Sequence, residues 1–458
     1  MKRNAGAMAG NSITEGSIWK SLLAFFFPIM LGTVLQQLYN TVDAMIVGQV
    51  VGKQGLAAVG GTTGALINLM VGFFVGLASG AAVIISQYWG AKEHQRVEEA
   101  VHTSMALALV GSVVLMVFGI LSAPTLLKWM NTPDDVMGMA ELYMRIYMCG
   151  MIPSMVYNIG AGILRAVGDS KRPLYFLLAA CAVNVALDIV LVVWLKLGVA
   201  GAALATILSQ LASAVLVVIS LVRTKESYHL EFRKIGFQKH VLRQVIRIGL
   251  PAGAQSVMYS LSNAVIQASV NSFGTDILAA WTAFGKLDGI FWAMVNAFGV
   301  AITTFVGQNY GAGKIDRMRK GINACLLLTA GATVVFSAAL YFFAAPLYQL
   351  FSNDSAVVEQ GVYIMHLLAP TFITYIFIEV YSGALRGAGD AVMPTLMTLL
   401  GVCVLRVIWV MGITPMHNDV GFMLLSYPIT WTVTSLAFLV YYHKGTWLKK
   451  RMAARADL

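Results

Sequence analysis

Charge is what this chain lacks most. Only 31 Lys and Arg and 21 Asp and Glu occur among 458 residues, or 11%, against roughly 25% in a soluble protein. Apolar residues make up 58%, so polar groups are too few to cover a soluble surface. A soluble enzyme, a disordered chain and a disulfide scaffold are excluded. Cysteine is also scarce. Cys149, Cys181, Cys325 and Cys403 all fall in apolar stretches and form no Cys-x-x-Cys pair. They read as small packing residues, with no disulfide or metal site implied. No Walker A motif is present. Gly48-Gln-Val-Val-Gly52-Lys53 is short by one residue, and Gln54 follows where Ser or Thr is needed. The signatures HExxH and GxSxG are missing too. Without a nucleotide site or a soluble domain, any work the chain does by itself draws on an ion gradient, and no cofactor is expected.

What is present is a series of apolar runs. The charge-free stretches are 21–42, 54–91, 100–127, 146–164, 173–187, 197–222, 248–275, 289–313, 321–353, 360–378, 391–405 and 420–443. About 20 helical residues cross a bilayer core. The short runs reach that length by continuing past Asp188 and Arg406. The fold class is therefore all-α integral membrane, with twelve transmembrane helices and the lipid bilayer as partner. The net charge of +10 flanks the runs and forms no basic domain, so a nucleic-acid partner is not expected. No cleavage-site pattern marks the first run, which is read as a retained span. With the N-terminus inside, 25 basic residues lie in inner segments. Four lie outside (Lys53, Lys128, Arg145 and Lys196), and Lys286 and Arg406 fall within spans. That bias places both termini in the cytoplasm of a multi-pass cell-membrane protein.

The chain contains its own copy. Gly162-Ile-Leu-Arg-Ala-Val-Gly-Asp-Ser-Lys-Arg-Pro173 returns 221 positions later as Gly383-Ala-Leu-Arg-Gly-Ala-Gly-Asp-Ala-Val-Met-Pro394. Gln87-Tyr-Trp-Gly-Ala91 returns at the same offset as Gln308-Asn-Tyr-Gly-Ala312. Each half then has six helices. Six is even, so the halves run parallel, related by an axis along the membrane normal. The expected divisions are an N-lobe at 1–222, a basic cytoplasmic connector at 223–247, a C-lobe at 248–443 and a basic tail at 444–458. Two such six-helix bundles are a transporter architecture. Gly168 and Gly389 suit a tight turn, Asp169 and Asp390 suit caps for the next helix, and Pro173 and Pro394 suit its first turn.

Ionisable residues inside spans are the default functional candidates, since each is expensive to insert. In the first half Tyr39 and Asp43 share a face four residues apart, and Gln36 and Asn40 widen the polar stripe. Asn184 and Asp188 repeat that spacing on the fifth helix, as do Thr206 and Gln210 on the sixth. No intramembrane base accompanies the two acids, so they call for a proton or a hard cation such as Na⁺. In the second half Lys286, Asp288, Glu379 and Arg406 are of mixed sign and could pair. Tyr375 faces the same way as Glu379, and Glu379 occupies the repeat position of Asn158. Pro28, Pro153, Pro251 and Pro370 come as repeat-related pairs and are hinge candidates; Pro428 also falls inside a span.

Tyr39-Asn-Thr-Val-Asp43-Ala-Met-Ile-Val-Gly48, then Gly52 and Gly55-Leu-Ala-Ala-Val-Gly60, resembles the first-helix signature of multidrug and toxic compound extrusion (MATE) transporters. The two Arg-x-x-Gly-Asp-x-x-x-Pro copies and the 6+6 layout match as well. The resemblance implies a V-shaped pair of lobes that exports cationic, amphiphilic compounds in exchange for H⁺ or Na⁺. It also implies an N-lobe cluster of Tyr39, Asp43, Tyr143, Asn158, Asn184, Asp188 and Thr206. Another branch of the family carries an acid on the seventh helix; the stretch 248–275 has none, which favours the N-lobe site. The protein is expected to act as a monomer. The competing readings are a flippase for a lipid-linked sugar and a membrane enzyme.

Overall fold

The computed structural model describes residues 13–417 and 419–455, and those residues are helical with no strand. We number the long helices α1 to α12. Residues Ile18–Val50 form α1, Lys53–Ala91 α2 and His94–Trp129 α3. The pair Asp134–Cys149 and Met151–Ala166, bent by 48°, forms α4. Lys171–Trp194 is α5 and Gly198–Arg223 is α6. Lys239–Asn271 is α7. Thr275–Gly311 is α8, Ile315–Phe342 α9, Ser355–Gly387 α10, Val392–His417 α11 and Val420–Lys444 α12. Among the described residues ten of these are long and apolar enough to cross a membrane, or eleven with the bent pair counted as one. The remaining helix, α7, has 33 residues and so the length, but it opens on Lys239, Arg243 and Arg247 and carries Gln255, Ser260 and Gln267 further along.

The chain falls into two compact units. Of the described residues, the first holds Phe27 to Gly253, and the second holds 13–26 and those after Gly253. In the first unit α2 packs on the second segment of α4, and that segment packs on α3 and α6. In the second unit α8 packs on α10, and α10 on α9 and α12. The same pairings recur in both halves, as a sequence duplication requires. Exposed apolar side chains line the long helices, Val114, Phe118 and Leu121 on α3 and Leu327, Val334 and Val335 on α9 among them. These faces meet lipid. Trp129 and Trp194, both more than 70% exposed, end α3 and α5, where an amphipathic ring suits the membrane interface.

The repeated turn holds as read, with one difference. Gly168 and Gly389 take φ of 104° and 86°, a region open to glycine without strain. The Asp169 carboxylate accepts from the backbone N–H of Lys171 and Arg172, both at 3.0 Å, and caps α5. Asp390 does not cap α11. Its oxygens accept from Tyr441 Oη at 2.7 Å and Arg451 at 3.3 Å, so it holds the C-terminal helix Trp447–Arg455. The connector after α6 is fastened to the start of α3. Glu231 N–H donates to His102 Nε2 at 3.0 Å, Gln238 N–H donates to Thr103 Oγ1 at 3.1 Å, and Lys234 pairs with Glu98 at 2.9 Å. Glu231 and Glu98 hold the Lys234 ammonium above its ordinary pKa.

The prolines stand where helices depart from regularity. Pro153 follows the break in α4, and Pro370 sits in a 3₁₀ turn, Ala369–Thr371, inside α10. Pro28 and Pro251 lie within continuous helices, α1 and α7. Each lies within three residues of a boundary between the two units.

Candidate functional site

Two acids of the first unit come together in an apolar setting. Asp43 comes from α1 and Asp188 from α5, and their carboxylates adjoin. Asp188 is fully buried and Asp43 is 8% exposed. One helical turn beyond each stand Val47 and Val192, both in an apolar cluster with Leu66, Met144 and Met148. Asp188 lies where α5 widens into a π-helical stretch, Ile189–Trp194, a local feature frequent at functional positions. No hydrogen bond among the described residues reaches Asp43 Oδ1, either oxygen of Asp188, or either polar atom of Asn184. Native interiors leave few buried polar groups unpaired. Two adjoining carboxylates also cannot hydrogen-bond unless one is protonated or a cation lies between them. Two adjoining carboxylates with no base beside them are a setting that suits H⁺ or a hard cation. Among the described residues no group of three or more His, Cys, Asp and Glu could hold a metal. Any metal ion here would draw on amide and hydroxyl oxygens, a hard donor set that fits Na⁺ better than Zn²⁺.

Tyr39 and Tyr143 lie within electrostatic reach of the acids, as does Tyr147. Tyr147 was missed in the sequence; its signal is its place four residues after Tyr143, and their ring centroids are 6.0 Å apart. The Gln210 amide donates to Tyr147 Oη at 3.5 Å. Thr206 is buried, and its hydroxyl donates to the Ala202 carbonyl at 3.0 Å. No bond joins it to the acidic pair. Asn40 is exposed.

A cavity of about 150 Å³ is lined in part by α1 and α5, the helices that carry this pair, and neither acid is among its lining residues. Pro28, Gln36, Tyr39, Asn158 and Gln210 line it, with Arg165 of the repeated motif and with Tyr157 and several serines that the sequence did not single out. Asp43 follows Tyr39 by one turn of α1, so the cavity and the acids share a helix.

Among the described residues the four charged candidates of the second unit, Lys286, Asp288, Glu379 and Arg406, form no ion pair with one another. Glu379 faces Arg386 at 4.0 Å and accepts from Tyr375 Oη at 3.4 Å. Asp288 accepts from Trp292 Nε1 at 2.6 Å, and its other oxygen is buried without a partner. Arg406 is 3% exposed, lies 4.1 Å over the Tyr427 ring, and donates to Thr430 at 3.2 Å. Aromatic faces, not carboxylates, hold that cation. Lys286 is exposed and forms no ion pair among the described residues.

A duplicated helical membrane protein with a buried acidic pair on helices that line a cavity belongs to the class of transporters; it is not an enzyme. The MatE family model matches residues 28–190 and 251–410, and the chain belongs to that family. It is 28% identical over 454 residues to the probable multidrug resistance protein YoeA of Bacillus subtilis, covering 96% of each chain. It is 22% identical over 404 residues to the multidrug export protein MepA of Staphylococcus aureus, covering 87% of this chain and 88% of that one. Among solved structures it is similar to one described as MATE in the straight conformation. The TM-score there is 0.87 at 20% identity, covering 98% of this chain and 99% of that chain.

Proposed function

We propose that the protein is a secondary efflux antiporter of the plasma membrane, with both termini cytoplasmic, acting as a monomer. It exports cationic, amphiphilic compounds in exchange for H⁺ or Na⁺ by alternating access. The observation that carries this reading is the Asp43–Asp188 pair: two buried acids with no cationic partner, on the helices that flank a polar cavity. The names of the curated relatives, a multidrug resistance protein and a multidrug export protein, support the substrate class.

The exchange follows from linkage. An ion from outside neutralises the pair and weakens the cavity's attraction for a cationic compound, which leaves. When the site faces inward and the ion departs, the negative charge returns and favours the next cation. Each ligand lowers the other's affinity by the same factor. The test is a proteoliposome assay in which ΔpH and a Na⁺ gradient are imposed separately on a cationic dye. One gradient should drive dye movement in the wild type and fail to do so in Asp43→Asn. Dye movement that persists unchanged when both gradients are collapsed would overturn antiport.

A further inference from the structure

The duplication offers a comparison that the function does not use. In the second half Arg386, on the last turn of α10, has the carboxylate of Glu379 at 4.0 Å. Their repeat mates in the first half are Arg165 and Asn158. The arginine is common to both halves, and the first half has an amide where the second has an acid. Among the described residues the Arg165 side chain forms no ion pair and no hydrogen bond, Tyr157 is its electrostatic neighbour, and Arg165 lines the cavity. Arg165 stands in the last turn of α4, and its guanidinium presents five donors in a fork that fits a carboxylate.

The other lining groups sharpen the contrast. The Ser209, Ser213 and Thr33 hydroxyls donate to carbonyls of their own helices at 2.8, 2.8 and 3.1 Å. Tyr157 Oη donates to the Pro173 carbonyl at 3.1 Å. Toward the cavity these groups are left as acceptors, which suits the N–H donors of an organic cation. Arg165 supplies the opposite polarity. The lining also includes Pro28 and Tyr39, eleven residues apart on α1, or ~16 Å of helical rise, and Tyr39 lies within electrostatic reach of Asp43.

We propose that Arg165 is a specificity-determining residue that binds the carboxylate of zwitterionic substrates, whose cationic end lies toward Tyr39 and the acidic pair. The proposal rests on the efflux reading for its biological setting, but its test is an equilibrium one. Purified protein is titrated with 3-carboxyphenyltrimethylammonium, a zwitterion of the cavity's scale, and with its methyl ester, read by isothermal titration calorimetry. The wild type should favour the free acid. Arg165→Gln should lower the ratio of acid to ester affinity about tenfold, the scale of one charge-assisted hydrogen bond. Arg165→Lys should recover part of the ratio. Asn158→Glu keeps the arginine and restores the repeat's internal partner, so it too should lower the ratio. An unchanged ratio in both Arg165→Gln and Asn158→Glu would overturn the proposal, as would a wild type with no preference for the acid. Phosphatidylglycerol micelles that displace the free acid from the wild type but do not bind Arg165→Gln would assign the site to lipid and likewise overturn it. Loss of gradient-driven transport with the binding ratios intact would sink the efflux reading and leave the carboxylate site standing.

Discussion

Asp188→Asn should separate stability from function, because the two respond with opposite sign. Asp188 is fully buried, its oxygens have no partner, and Asp43 adjoins it. One ionised acid at a helix centre costs about 2.5–3.5 kcal/mol on insertion scales. Two unit charges about 4 Å apart repel by ~4 kcal/mol at an effective dielectric constant of 20. The doubly ionised, ion-free pair is thus destabilised by several kcal/mol, and the amide relieves most of that. At about pH 8 without Na⁺ the variant should melt above the wild type. The same arithmetic reverses for the bound ion. A cation that loses one of two carboxylates loses up to ~4 kcal/mol of attraction, or about a thousandfold in affinity. The wild type should gain thermal stability on adding Na⁺ or lowering pH, and the variant should gain little. Dye export in proteoliposomes should fall at least a hundredfold. Asp43→Asn should behave alike, and the double variant should be little worse than either, since groups acting as one unit are not additive. A variant that melts lower than the wild type yet exports normally would make Asp188 a structural acid and refute the reasoning.

Three further outcomes follow from contacts elsewhere. Glu379→Gln strands Arg386; both side chains are about one-fifth exposed, so the loss should be ~1 kcal/mol, below the ~3–5 kcal/mol of a fully buried pair, and Glu379→Gln with Arg386→Gln should regain it in a thermal melt. Asp390→Asn weakens the hold on Tyr441 and Arg451, so trypsin should cut the C-terminal helix faster, and an unchanged digestion rate would show the clamp to be idle. Ser227→Cys, in a background without the four native cysteines, should label with an impermeant maleimide only in inverted vesicles; labelling from outside intact cells would reverse the topology.

Much of the fold was legible because its signals are local. Helix lengths follow from apolar runs, and the duplication follows from a motif that returns at a fixed offset. The charge-free ruler erred at helix ends for a physical reason. It stopped the first span at 42, whereas α1 runs to Val50, because one buried acid does not end a helix. Asp43 and Asp188 were legible as a pair because each is an acid in an apolar run and no base accompanies them. Tyr147 required noticing a second turn on the face already marked by Tyr143. Arg406 was not legible as an aromatic-caged cation, since Tyr427 and Trp431 lie more than 20 residues away on α12 and have no sequence relation to it. The cap expected at Asp390 failed for the same reason: its partners come from the tail.

Duplication also explains where the sequence misleads. A repeated motif invites one role for both copies, yet a copy is freed to diverge once the other maintains the fold. The turn is kept in both halves because its glycines need positive φ, a backbone demand that no partner can relieve. Side-chain chemistry has no such constraint. Asp169 caps a helix while Asp390 holds the C-terminal helix. Arg386 faces an acid while Arg165 faces a cavity. The positions at which one copy retains a charge and its mate lacks the counter-charge are those where the fold does not account for the residue. In this chain they are the Asp43–Asp188 pair, to which the second half has no acidic counterpart on α7, and Arg165. We propose a cation for the first and an anion for the second, and both lie in the first unit.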